Sequence, residues 1–207
     1  MYAIVTDNEI TKLINNPKAM VIGDVRYPAK IFSLWSASEL NTIGIYEVVF
    51  DDSNKKDEKW YINTNQSYDF DGNEVTASYG TATPKAHADS LWTQDEINDG
   101  DAPEGTSLGD VKTRGLKYNL IRDLKITVAN ELAKTDWYIT RNTEKSTAIP
   151  SSISTHRDAV RTKQASMETA ITNASNTPAL ETLYTYTKDS DGVQQPRPLG
   201  ELPTLES

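Results

Sequence analysis

The sequence predicts an α+β protein. A small N-terminal β-rich module, built of antiparallel hairpins with one short helix, precedes a long two-helix hairpin and an irregular C-terminal tail. Two observations carry this reading. Apolar residues alternate with a period near two over roughly the first ninety residues, and recur at spacings of three and four beyond residue 106. Between these regimes lies "TQDEINDGDAPEGT", Thr93 to Thr106, which is acidic, holds two glycines and a proline, and shows no apolar periodicity. It reads as a linker. The expected organisation is a β-rich module at 1–93, an acidic linker at 94–106, a helical hairpin at 107–175 and a Pro-rich extended tail at 176–207.

Within the first module, "MYAIVTDNEITKLI" gives two strands around a polar turn at Asp7-Asn8. Both residue types tolerate the positive φ of a tight hairpin. "PKAMVIGDVRYP", Pro17 to Pro28, gives one short apolar strand bracketed by prolines, which suits an edge. In "LWSASELNTIGIYEVVF", Ser36 and Glu39 have the spacing of a capping box and Gly44 suits the position after a helix end. A short helix should therefore run from about Ala37 to Ile43, with a strand at Ile45–Phe50. "KWYINTNQSYDFDGNEVTASYGT" alternates and turns at Asp71-Gly72, which predicts another hairpin.

Beyond the linker, Ser107 and Asp110 form an N-cap pair for a helix reaching about Lys134. Val111, Tyr118, Ile121, Leu124, Val128 and Leu132 lie on one stripe of it. A second helix opens at Pro150, whose fixed φ and missing N–H suit the first helical position. Ile153, Val160, Met167 and Ile171 mark its seam, and it ends near Ala174. Neither helix can hide its seam alone. The two must pack on each other, on the β module, or on copies in a homo-oligomer. From Thr177 onward the chain has four prolines and little periodicity, so it reads as a tail ordered only by docking.

Charge is segmental. Residues 1–93 carry 13 acids and 8 bases, 94–106 carry 5 acids and no base, 107–175 carry 7 acids and 11 bases, and 176–207 carry 5 acids and 2 bases. One positive section thus lies between negative ones, an arrangement that guides self-association or docking on an acidic partner. An excess of 4 bases over 69 residues is too sparse for a nucleic-acid face, so no nucleic-acid partner is expected. No apolar window approaches the ~18 residues of a membrane span, and the N-terminus lacks the basic start and apolar run of a signal peptide. The expectation is a soluble protein made in the cytoplasm, without membrane insertion.

Motifs for chemistry are scarce. Without cysteine there is no disulfide, thiolate metal site or cysteine nucleophile. "DFDGN", Asp69 to Asn73, opens like a calcium loop, but the twelfth position that needs a bidentate glutamate holds Gly80. "DSDG" near Asp191 fails likewise, with Gly200 twelfth. His87 and His156 are far apart, and His156 falls beside the second helix's seam as a packing residue. No nucleophile elbow, phosphate loop or zinc-binding helix motif occurs. No catalytic residue, metal or cofactor is therefore expected.

The richest stretch is "KTDWYITRNTEKSTAIPSSISTHRDAVRTK", Lys134 to Lys163. Its simplest reading is the joint between the helices. Trp137 packs under the turn, "STAIP" redirects the chain, and Arg141 and Arg157 pair with Asp136, Glu144 or Asp158. The alternative is that the joint presents Trp137 and the arginines outward as contact anchors.

This stretch also resembles a segment near the C-terminus of many tail-associated and tail-fibre assembly proteins of tailed bacteriophages. In those, a helix ends in T-D-W-x-x-x-R, an I-P turn follows, and the next helix carries Y-R-x-A-(L/I)-R. The matching residues are Thr135, Asp136, Trp137, Arg141, Glu144, Ile149, Pro150, His156, Arg157, Ala159, Val160 and Arg161, with His156 in place of the tyrosine. "YAIVTDNEITKLI" and "LWSASELNTIGIYEVV" are similar to marine-phage virion proteins, and together the resemblance covers about a third of the chain. It implies a structural virion protein, a component of the tail or of fibre attachment at the baseplate, with tail or fibre proteins as partners. A tail-fibre assembly chaperone is the alternative. A phage glycan hydrolase ranks behind both, because it needs two carboxylates ~5–10 Å apart at a sugar cleft and none stand out.

Overall fold

The computed structural model describes residues 1–64 and 66–205; Asn65 in the second predicted hairpin and Glu206 and Ser207 of the predicted tail lie outside the described residues. The chain forms two compact units, Met1–Thr83 and Pro84–Ser207.

The first unit is organised by strand alternation. β1 (Tyr2–Thr6) and β2 (Glu9–Ile14) pair antiparallel, with a bulge after Ile4. Asp7 and Asn8 both take positive φ, 54° and 65°, as the primed two-residue turn requires. The Pro17–Pro28 stretch holds two strands rather than one, β3 (Met20–Ile22) and β4 (Val25–Tyr27), turning at Gly23 with φ 56°. A helical turn absent from the sequence reading comes next, α1 (Ile31–Leu34), and then α2 (Ala37–Asn41). The α2 capping box is complete: the Ser36 hydroxyl accepts from the Glu39 N–H, and the Glu39 carboxylate accepts from the Ser36 N–H at 2.8 Å. Gly44 carries φ 79°, and a Cβ there would fall 2.6 Å from the Val5 carbonyl oxygen.

β5 (Ile45–Asp51), β6 (Tyr61–Ile62), β7 (Gln66–Phe70) and β8 (Val75–Tyr79) complete this unit, and β9 (Thr83–Pro84) spans its end. The main sheet has the order β2-β1-β5-β8-β7. β1 pairs antiparallel with both β2 and β5, and β7 does so with β8, whereas β5 and β8 run parallel with Val48 opposite Val75. Because side chains alternate, each face gathers its own core. Ala3, Val48, Val75 and Ala77 are buried on one face with Tyr46 and Phe70 against them. Ile45 lies on the other, where Ile31 and Leu40 of the small helices cover it.

The second unit begins at Pro84, earlier than the sequence pattern suggests, because residues 86–89 complete the start of its first long helix. That helix, α4, spans Leu116–Ala133, 18 residues rather than about 28, and has no side-chain cap of its own. Its first N–H groups donate to the carbonyls of Ala86 and His87, both at 3.0 Å, and the Gly115 N–H donates to the Asp89 carboxylate at 2.8 Å. The approach demands glycine, since a Cβ on Gly115 would collide with the Ala88 carbonyl. Asp89 is held below the usual carboxylate range, chiefly by that Gly115 hydrogen bond and next by Arg114.

The segment expected as a linker is structured. Between β10 (Ser90–Leu91) and β11 (Val111–Thr113), which pair antiparallel, sits α3 (Gln94–Asn98) with a full Thr93–Glu96 capping box. Lys112 Nζ reaches Glu96 at 2.5 Å and lies over the Trp92 ring. Together with the Thr93 hydrogen bonds this holds the Glu96 carboxyl at about 2. Ser107 and Asp110 do bond, Ser107 N–H to Asp110 Oδ2 at 2.8 Å, but they close a turn that leads into β11. The helix waits until Leu116, where a preformed N-terminal acceptor set exists.

The expected two-helix hairpin contains three helices: α4, α5 (Asp136–Lys145) and α6 (Ser151–Asn173). Pro150 sits one residue earlier than expected, at the N-cap of α6. α4 and α6 run antiparallel: Lys117 Nζ donates to the Thr172 carbonyl at one end, and Arg157 donates to the Leu132 carbonyl at the other. Between them are buried Leu120, Leu124 and Val128 of α4 and Ile153, Val160, Met167 and Ile171 of α6. Each such aliphatic side chain, taken from water, contributes roughly 1.5–3 kcal/mol.

The region expected as a tail opens with α7 (Thr177–Tyr184), capped by the Asn176 carboxamide, which accepts from the Ala179 N–H at 2.9 Å. The Thr177 hydroxyl donates to the Lys85 carbonyl at 2.6 Å, and Leu180 is fully buried. The chain beyond α7 is irregular but fastened. Leu199 is buried, and the Arg197 guanidinium lies 5.3 Å from the Tyr184 ring centre and 5.8 Å from that of Tyr186. Arg197 Nη2 meets Glu201 at 2.7 Å, and the Tyr186 hydroxyl donates to the same carboxylate. The Glu201 hydrogen bond raises the Tyr186 phenol above its ordinary value.

Candidate functional site

The joint between α4 and α6 is built around Arg157. Its Nη1 donates to the Leu132 carbonyl at 2.8 Å, to Thr135 Oγ1 at 2.7 Å and to Asp136 Oδ1 at 2.8 Å. Leu132 belongs to the last turn of α4, and its carbonyl, already reached by the Thr135 N–H at 3.1 Å, also receives a cation from α6 at the helix end where positive charge is favoured. Thr135 is 1% exposed, and Asp136 opens α5, where a carboxylate suits the helix start. One guanidinium thus fixes where α4 stops and α5 begins. Arg157 therefore takes Asp136, in agreement with one of the expected pairings, while Asp158 goes to Arg161 at 3.2 Å.

Trp137 does not pack under the turn. It is 50% exposed; the bond to Arg157 draws the neighbouring Asp136 carboxylate, not the ring, toward α6. It stacks on Tyr138 with ring centres 3.7 Å apart. Arg141 does not pair with Glu144. Its guanidinium lies 4.8 Å from the Trp137 ring centre and 5.3 Å from that of Tyr138, with Nε buried and without a hydrogen-bond partner. Ile139 beside them is 39% exposed. α5 ends at Ser146 in the left-handed conformation, φ 49°. The result is a fixed ridge of two aromatic rings and one cation.

His156, as expected, is buried between the helices. Its Nε2 lies 3.4 Å from Glu131 Oε1, which is long and misaligned for a hydrogen bond. Glu131 binds Lys134 at 2.5 Å, and that contact chiefly holds its carboxyl below the ordinary value.

The assembly residues expected from the sequence divide into three sets. Leu124 and Val128 on α4 and Ile153, Arg157, Val160, Met167 and Ile171 on α6 meet in the intrachain interface, with Leu132 half-buried at its edge. Val111 is on β11, not on a helix, because α4 starts at Leu116. Tyr118 and Ile121 share the outward side of α4 with Lys125, Ile126 and Ala129, and Trp137 and Arg141 form the ridge of α5. Leu120 and Thr135 are buried interface residues outside the predicted stripe. Leu120 lies four residues before Leu124 and is legible from that spacing; Thr135 becomes so only once Arg157 is in place.

Among the described residues, no group of three or more His, Asp and Glu side chains is placed to hold a metal ion, and no helix is long and apolar enough to cross a membrane. Compared with protein-family models, curated proteins and solved structures, the chain matches none.

Proposed function

We propose that this chain is a structural protein of a tailed bacteriophage, a tail or fibre-attachment component that acts by protein–protein assembly at the tail or baseplate. The observation that carries the reading is the ridge of Trp137, Tyr138 and Arg141. Large rings and a planar cation are the residue types that dominate binding interfaces. Here Trp137 is half exposed, Tyr138 and Arg141 are partly so, and the helix that carries them starts at a lock in which Thr135 and Arg157 are buried, so little ordering remains to be done on contact. The residues of that lock, Thr135, Asp136 and Arg157, are among those that resemble the phage tail segment. Repeated copies in a homo-oligomeric assembly multiply such contacts by avidity. Mass spectrometry of purified virions tests the proposal: the protein is expected in intact particles at several copies, and its absence overturns the reading.

A tail-fibre assembly chaperone is the second reading. It is favoured by the same segment, because Arg157 binds both Thr135 and Asp136 and the three build one joint rather than scattered contacts. Co-expression separates the two. Under the chaperone reading the fibre trimerises only with this protein and the particle lacks it; a fibre that trimerises equally well alone excludes it.

A further inference from the structure

α4 has more apolar surface than α6 covers. Opposite the seam of Leu120, Leu124 and Val128 runs a second stripe, Tyr118, Ile121, Arg122, Lys125, Ile126 and Ala129, that lines an open groove of about 510 Å³. Tyr118 is 42% and Ile126 54% exposed. The spacing of three and four places these residues along one helical face, the geometry that receives the apolar face of another helix.

The charge on this stripe is of one sign. Arg122 and Lys125 flank the apolar residues, and Arg114 lies over the Tyr118 ring, 4.2 Å from its centre. Arg114 is committed to Asp89 at 2.6 Å, but the carboxylates that Arg122 and Lys125 now meet are exposed or distant. Arg122 bonds its own neighbour Asp123, with both side chains more than half exposed, and Lys125 Nζ is 3.9 Å from Glu168. Exposed pairs of this kind contribute little and exchange readily for a better-placed acid. An apolar centre rimmed by cations selects a complementary rim of anions. A second copy seated on the same stripe would set Arg122 and Lys125 against their own counterparts, which is repulsive.

We propose that this face of α4 docks an amphipathic helix with acidic flanks supplied by another protein. The inference deepens the assembly reading and rests on it for the partner being a protein. The probes are two fluorescein-labelled synthetic helices with one leucine/alanine stripe, flanked by glutamate in one and by lysine in the other. Fluorescence anisotropy is measured on the full chain. The glutamate-flanked helix is expected to bind saturably and to weaken with salt, whereas the lysine-flanked helix does not bind. Arg122→Glu with Lys125→Glu is expected to weaken the first by roughly tenfold or more and to admit the second. Ile126→Glu, at an exposed site where the circular-dichroism spectrum should stay unchanged, is expected to abolish binding of the glutamate-flanked helix and, added to the double variant, that of the lysine-flanked one.

Absence of binding by the glutamate-flanked helix, or equal binding of the two helices, overturns the proposal. So does sedimentation showing a dimer that Ile126→Glu dissociates, since a second copy would then occupy the face. Particle mass spectrometry stands apart: the protein present in virions while the peptides fail sinks this inference and leaves the assembly reading intact.

Discussion

The two units of this chain are held together in different ways. In the first, alternation along the strands delivers an apolar core to each face of one sheet, and its turns and capping box are satisfied by residues close in sequence. In the second, the apolar seams are comparable, but helix ends are closed by distant polar groups. Asp89 and the carbonyls of Ala86 and His87 start α4, Arg157 ends it, and Lys85 accepts from the α7 hydroxyl Thr177. A helix needs partners at both ends. Where the local sequence lacks a cap, tertiary structure supplies one, so a single polar side chain gains leverage over two elements at once.

That contrast sets the order of mutational effects. The largest is expected at Arg157. Arg157→Ala takes the charged donor from the buried Thr135 hydroxyl and the exposed Asp136 carboxylate, one of several donors from the Leu132 carbonyl, and a buried stem from the interface, together about 3 kcal/mol or more in denaturant unfolding. A loss under ~1 kcal/mol would show that the joint does not depend on it.

Next come the apolar seams. Ile171→Ala in the second unit and Ile45→Ala in the first, both fully buried, should each cost about 2–5 kcal/mol. A clear inequality would identify the unit that better collapses around a void. Gly115→Ala ranks third, at about 1–3 kcal/mol, because the added methyl forces α4 away from the Ala88 backbone.

Acid acts more gently and on both units, since Glu39, Asp51 and Asp71 of the first are also held below their usual values, by hydrogen bonds from Ser36, Ser53 and Glu74. Asp89 and Glu96 have folded pKa values below their unfolded ones, so the stability they contribute is present above pH ~4.5 and lost as pH falls through the folded values, about 2 for Glu96. Unfolding midpoints should therefore drop between roughly pH 4.5 and 2, and Glu96→Gln should flatten part of that slope. The smallest stability effect belongs to Trp137→Ala, within about 0.5 kcal/mol since half of the ring is already in water. Under the proposed assembly role, its effect should fall instead on partner binding, read in pull-down with tail or fibre proteins.

The same contrast explains which elements are legible in the sequence. Asp7-Asn8 and the Ser36–Glu39 box announce themselves because donor and acceptor are close in sequence. The parallel pairing of β5 with β8 is hidden, since no local pattern says that a hairpin returns beside a strand already placed. The acidic 94–106 stretch has the composition of a linker, and its glycines and charge mask the capping-box spacing of Thr93 and Glu96. The stripe makes α4 too long because Ser107 and Asp110 mimic a helix start. Of the candidate surface, residue types identify Trp137 and Arg141, but only the buried Arg157 explains why the ring faces out.

The route through Arg157 has a mechanical corollary. α5 is bound at its first turn to the following helix, while its far end passes through Ser146 into an irregular stretch before α6. Tension applied to Trp137 by something gripping its ring would cross sideways through the guanidinium before the slack between the two helices is drawn out. Cutting that one cross-tie would turn a stiff bracket into a hinged one without touching the grip.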